Sequence, residues 1–136
     1  MRAFVVIDGE PQGKARPRFS RRSGVVYTPA KTMSYEKLVK LSCQTATKVF
    51  FEDGKYLQVE IRAFFAIPTS ASKKKKEAML SGQIRPDKKP DLDNIAKVIL
   101  DSANGLIYAD DKQVVNLICD KYYSDRPRVE FEVFEI

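Results

Sequence analysis

Residues 90–115, PDLDNIAKVILDSANGLIYADDKQVV, hold in order an apolar stretch at helical spacing, a glycine turn and the start of a strand-like run. Leu92, Ile95, Ala96, Ile99, Ala103, Leu106 and Ile107 form one stripe, which predicts a core-facing helix stopped near Asn104-Gly105. Strands are expected over Val114 to Tyr122 and, after a Ser-Asp-Arg-Pro turn, over Arg128 to Phe134. Upstream, residues 56–68 read YLQVEIRAFFAIP. Leu57, Val59, Ile61, Ala63 and Phe65 alternate there with Gln58, Glu60 and Arg62, the period of a half-buried strand ending at Pro68. From Met33 to Phe50, Tyr35, Leu38, Val39, Ala46, Val49 and Phe50 share a helical face, and Arg2 to Ile7 is a short β-rich run. Residues 9–29 are rich in glycine and proline and read as a loop or hairpin, while residues 69–90 are polar and basic, with a short helix from near Ser72. The sum is one α+β domain over residues 1–136, a mixed β-sheet with helices packed on one face; strand order is left open.

Composition narrows the chemistry. The 24 Lys and Arg against 18 Asp and Glu leave a net charge of +6, which favours a polyanionic partner such as nucleic acid. Cys43 and Cys119 have no paired spacing, so neither a disulfide framework nor a zinc site is expected, and the setting is read as reducing and cytoplasmic. No run approaches the length of a membrane span, and none resembles a secretory signal. There is no histidine. That removes Ser-His triads, imidazole bases and His-ligated metals, and leaves carboxylates, lysine or metal-bound water for any hydrolysis.

Asp91 and Asp93 stand at the mouth of the expected helix, and if the chain is extended there they point the same way. The plainer reading is a helix cap, which accounts for one of them but not both. Asp93, Lys97 and Asp101 follow at intervals of four, either an exposed ion-pair ladder or a lysine poised beside an acidic site. Asp110 and Asp111 precede the next strand; alone they read as a polar turn. Taken together, the two groups form an oxygen-rich set suited to Mg²⁺, with Mn²⁺ as a substitute. One geometric demand follows: the helix carries the chain about 20 Å away, so residues 105–109 must double back to return Asp111 towards Asp93. Completion of the site by a second subunit is the alternative. For DNA, Lys14, Arg16, Arg18, Arg21 and Arg22, then Lys73, Lys74, Lys75, Lys76, Lys88 and Lys89, are the candidate phosphate contacts, against the plainer reading of the lysine run as a solvated helix face.

Residues 89–115 resemble the signature of RusA-type Holliday junction resolvases, a family common in prophages. The matching features are the DLDN core, the lysine three residues after its Asn, the Asp four further on, and DDKQV after a glycine-containing turn. GEPQGKARPRFS and YTPAKT near the N-terminus are similar to phage-type members. The resemblance implies a RusA-like fold, bacterial or phage origin, and a small homodimeric Mg²⁺-dependent endonuclease that resolves four-way DNA junctions by paired symmetric nicks in recombination and repair. It makes Asp91, Asp93 and Asp111 the metal-holding catalytic carboxylates and Lys97 the essential lysine. The turn before the Asp pair is about one residue shorter than in some members, which leaves Asp110 as an alternative ligand, although Asp111 aligns directly with the following Gln-Val. Two other classes fit parts of the pattern: a non-catalytic basic DNA-binding module, and a carboxylate–Mg²⁺ phosphohydrolase of nucleotides.

Overall fold

The computed structural model describes residues 1–14, 18–27 and 30–136. β1 (Arg2–Asp8) is followed by the two-residue strands β2 (Arg18–Phe19) and β3 (Val26–Tyr27), which pair with each other, and then by α1 (Ala30–Ala46). β4 (Leu57–Ala66), α2 (Lys73–Leu80), α3 (Leu92–Ser102), a 3-10 turn at Asp111–Gln113, β5 (Val114–Ser124) and β6 (Arg128–Glu135) complete the chain. The main sheet has the order β1-β6-β4-β5. β6 runs antiparallel to both of its neighbours, whereas β4 and β5 are parallel. A parallel pair needs a long crossover, and the segment bearing α2 and α3 supplies it. The sheet is therefore mixed, as expected.

Alternation along the strands builds one core. Ala3, Val5 and Ile7 of β1, Leu57 to Phe65 at alternate positions of β4, and Val129, Phe131 and Val133 of β6 are all buried on one face. Ile95, Val98 and Ile99 of α3 and Tyr35, Val39 and Cys43 of α1 close over them. Each of the larger aliphatic side chains contributes about 1.5–3 kcal/mol on burial.

The first helix departs from its expected bounds and face. It begins before Met33 and ends at Ala46, and Leu38, Ala46 and Phe50 are exposed rather than core. The stop has a local cause: the Thr47 hydroxyl accepts from the Val49 N–H at 3.0 Å, a side-chain bond that competes with helix. Phe51 then takes the buried place. Its N–H donates to the Ile107 carbonyl at 2.8 Å, tying this segment to the turn after α3. In α3 the same shift applies to Leu92, which is exposed, while Val98 joins the core.

β5 lies at the edge of the sheet, and its two halves differ. Beside its C-terminal half the Arg85 guanidinium donates to the Lys121 carbonyl at 2.8 Å and pairs with Asp120. Val115, Leu117 and Ile118 in the N-terminal half remain exposed, Val115 by 57% and Leu117 by 42%.

Candidate active site

α3 separates two acidic groups. At its N-terminal end Asp91 occupies the cap position with extended backbone, φ −69° and ψ 154°, yet its side chain makes no capping hydrogen bond. Asp93 lies in the first turn, and both carboxylates are exposed. The cap reading thus gives the position of Asp91 but not the use of its carboxylate.

At the other end the chain doubles back. Gly105 adopts φ +75°, a left-handed conformation that glycine enters without a Cβ penalty, and its N–H donates to the Tyr108 carbonyl at 2.8 Å. The buried Tyr108 returns a hydroxyl bond to the Leu100 carbonyl at 2.6 Å. Asp111 then meets the end of α3: its N–H donates to Asn104 Oδ1 at 2.8 Å. The return therefore reaches Asp101, at the C-terminal end of the helix. Asp93 lies eight residues earlier, about 12 Å along the axis.

The paired aspartates have different work. Asp110 caps the 3-10 turn, accepting from the Lys112 N–H at 3.3 Å, while Gln113 Oε1 accepts from the Asp110 N–H at 3.0 Å. The buried Gln113 also donates to the Glu52 carbonyl at 2.7 Å. Asp110 is held below the ordinary carboxylate range, first by its hydrogen bond with Asp111 and then by backbone N–H groups. Asp111 is pushed up, first by burial and then by contact with the Asp110 and Asp101 carboxyls. Asp111 is accordingly the member of the pair that faces another acid.

Among the described residues, no three acidic or cysteine side chains converge as a ready-made cage for a metal ion. The contact between Asp111 and Asp101 suits Mg²⁺ nonetheless, because that ion commonly uses one or two carboxylates and keeps water or substrate phosphate for the rest. Lys97 is exposed between the two ends of α3, about 6 Å along the axis from Asp93 and from Asp101. Neither step of the expected ladder forms among the described residues: Lys97 pairs with neither Asp93 nor Asp101, and Asp101 is paired with Lys14 at 2.8 Å.

Lys14 is one of the expected DNA contacts, and the structure turns it inward. Its ammonium lies 2.8 Å from Asp101 and 3.6 Å from Glu36, and it is held above its ordinary pKa chiefly by the bond to Asp101, against an opposing pull from burial. The remaining basic candidates sort differently. Arg21 and Arg22 are exposed in the turn between β2 and β3, as are Lys73, Lys74 and Lys75 on α2 and Lys88 and Lys89 before α3; Lys76 is half-buried. Arg18 begins β2, and Arg16 lies outside the described residues.

A family model described as Endodeoxyribonuclease RusA matches residues 8–134. The chain belongs to the RusA endodeoxyribonuclease family. It is also 39% identical over 132 residues to a Bacillus subtilis (strain 168) protein named "Uncharacterized protein YqaN", covering 94% of this chain and 92% of the relative. The RusA family is one of Holliday junction resolvases, so endodeoxyribonuclease activity is the indicated chemistry. Against that background Asp101, read from the sequence only in the ladder register and as a match to the motif, and Asn104, read only as part of the helix stop, are the residues that meet Asp111. Asp101 lies in the ladder register and Asn104 in the stop signal, so each carried a sufficient structural explanation. Their contacts with Asp111 depend on how tightly the Gly105 turn closes.

Proposed function

We propose that this RusA-family endonuclease resolves four-way DNA junctions by paired, symmetric nicks, as a homodimer, with Mg²⁺ or Mn²⁺ at the acidic residues of α3 and the following turn. The observation that carries this reading is the half-buried contact of Asp111 with Asp101, at one end of a helix whose other end presents Asp91 and Asp93 with no capping bond. Asp111, Asp91 and Asp93 are the proposed metal ligands, with Asp101 beside Asp111. When bound, such an ion lowers the pKa of a water and neutralises charge developing on the phosphate. Lys97 would orient that water or stabilise that charge through its ammonium. The exposed Arg21, Arg22, Lys73, Lys74, Lys75, Lys88 and Lys89 supply phosphate contacts that position DNA without reading sequence.

The homodimer has a physical rationale: a two-fold protein presents two equal sites to two equivalent strands. The uncharged N-terminal half of β5 is the surface we assign to the second copy, because Val115, Leu117 and Ile118 are exposed on an edge strand with no lysine or proline among them, and such an edge invites pairing. Leu117→Lys is expected to shift the sedimentation of the chain to monomer at micromolar concentration; an unchanged dimer removes β5 from the interface.

Mobile four-way, Y-shaped and linear duplex substrates, each incubated with the wild-type chain and Mg²⁺, test the function. Symmetric nicking of the four-way junction alone is expected. Equal cleavage of the linear duplex, or turnover of free nucleotides without junction cleavage, would overturn it.

A further inference from the structure

Lys14 is anchored at both ends of α3. Its N–H donates to the Asn94 carbonyl at 3.1 Å, in the first turns of the helix, and its ammonium reaches Asp101 at the last. The neighbouring Gly13 makes this approach possible: a Cβ there would lie 2.8 Å from the Asn94 Cβ and 3.0 Å from the Pro90 Cβ. The same ammonium lies 3.6 Å from Glu36 of α1, so one charge ties the N-terminal loop to two helices. A phosphate contact needs an ammonium free to meet DNA, and this one is already committed to two carboxylates. Asp101 and Asp111, by contrast, repel when both are charged and need a cation beside them.

We propose that Lys14 is a positioning residue of the acidic site: its ammonium, between Asp101 and Glu36, holds the Asp101 carboxylate in place towards Asp111 and fills the position beside Asp101 and Glu36 which a second divalent ion would otherwise take. The proposal rests on the reading of Asp111 as a metal ligand. It gives the loop residues Gly13 and Lys14 a role in the arrangement of the site, distinct from the DNA contacts made by the exposed lysines and arginines.

The test uses the full chain with Lys14→Met and Lys14→Arg, each checked for fold by circular dichroism. Calorimetric titration with Mn²⁺ alone is paired with single-turnover nicking of a four-way junction over a range of DNA concentrations. Lys14→Met is expected to take up about one further Mn²⁺ per chain, because a vacated cation position beside carboxylates accepts a hard ion. Its rate at saturating DNA is expected to fall at least about tenfold while the half-saturating DNA concentration changes less than about twofold, the signature of a group acting after binding. Lys14→Arg, which retains the ion pair, is expected to stay within about threefold of the wild type on both measures. Unchanged Mn²⁺ uptake together with an unchanged saturated rate overturns the proposal. So does a loss confined to DNA affinity with the salt slope reduced by about one, the signature of a phosphate contact. Should Lys14→Met fail to fold, Asp101→Asn carries the test: a lower saturated rate supports the proposal and an undiminished one overturns it. A wild type that binds Mn²⁺ but nicks nothing, with uptake still raised in Lys14→Met, overturns the endonuclease reading and leaves the Lys14 assignment standing. A wild type that neither binds Mn²⁺ nor nicks overturns both.

Discussion

The two ends of α3 carry the same residue type in opposite circumstances. At the N-terminal end Asp91 and Asp93 are exposed and Asp91 makes no capping bond; at the C-terminal end Asp101 is paired with Lys14 and presses on a half-buried Asp111. One end resembles an open hand and the other a closed one. The difference indicates that spacing along a sequence identifies which acids are candidates, while the turn that follows decides which of them meet. It also divides the work: the closed end can be pre-arranged by protein groups alone, whereas the open end is free for a ligand.

The largest effect should come from the segment joining the two ends. Ile99 is fully buried between them, and Ile99→Ala is expected to cost about 2–5 kcal/mol in urea unfolding, destabilising both ends in one cooperative transition. Separate transitions for the two ends would break the comparison as drawn. A smaller effect is expected for Gly13→Ala, which forces the loop off Asn94 and Pro90 for about 1–3 kcal/mol by the same measurement, overpacking being the cause. No loss there would mean that the loop does not rest on the N-terminal end of α3.

Alkaline pH should loosen the closed side. Burial pushes the Cys43 thiol and the Tyr35 hydroxyl, both on α1, up to about 12 from ordinary values of 9.0 and 10.0, and moves the Tyr108 hydroxyl in the same direction. Groups whose folded pKa is raised contribute stability that is whole below their unfolded values and lost as pH rises through the folded ones. The melting temperature should therefore fall between about pH 9 and pH 12, and a flat curve across that window would contradict the burial of these groups. The smallest effects separate the two acids. In metal-free protein at neutral pH, Asp111→Asn should raise the melting temperature, because the raised pKa of Asp111 marks its ionised form as unfavourable in the fold. Asp93→Asn, on an exposed carboxylate, should stay within about 0.5 kcal/mol of the wild type. Equal shifts for the two variants would erase the distinction between the ends.

Much of the fold was legible because the strands alternate cleanly. Leu57 to Phe65 and Val129 to Val133 are buried at the positions their period demands, and Ile95, Ala96 and Ile99 lie on the expected face. The errors fall where local pattern and tertiary demand part. Val49 and Phe50 continue a helical stripe, but the Phe51 bond to Ile107 requires extended chain there, and Phe51 takes the core place. Asp91, Asp93, Lys97 and Asp111 are candidates that the motif names, whereas the direction of Lys14 could not be read from it. A lysine in GKARPR has the composition of a DNA contact, and only the fit of Gly13 against Asn94 turns it towards Asp101. The matter of Asp110 and Asp111 was open for a similar reason. One is spent as a cap and the other faces Asp101, a division set by backbone geometry that two identical neighbours do not reveal.

The central claim is that the open and closed ends of α3 serve one reaction. It is tested most directly by single-turnover nicking of a four-way junction in Mg²⁺ by Asp93→Asn and Asp111→Asn, with junction binding measured in Ca²⁺. Both variants should bind the junction as the wild type does and nick it at least about a hundredfold more slowly, since each removes a carboxylate proposed to hold an ion at its own end of α3. Undiminished nicking by either variant would contradict the claim and confine the chemistry to the other end of the helix.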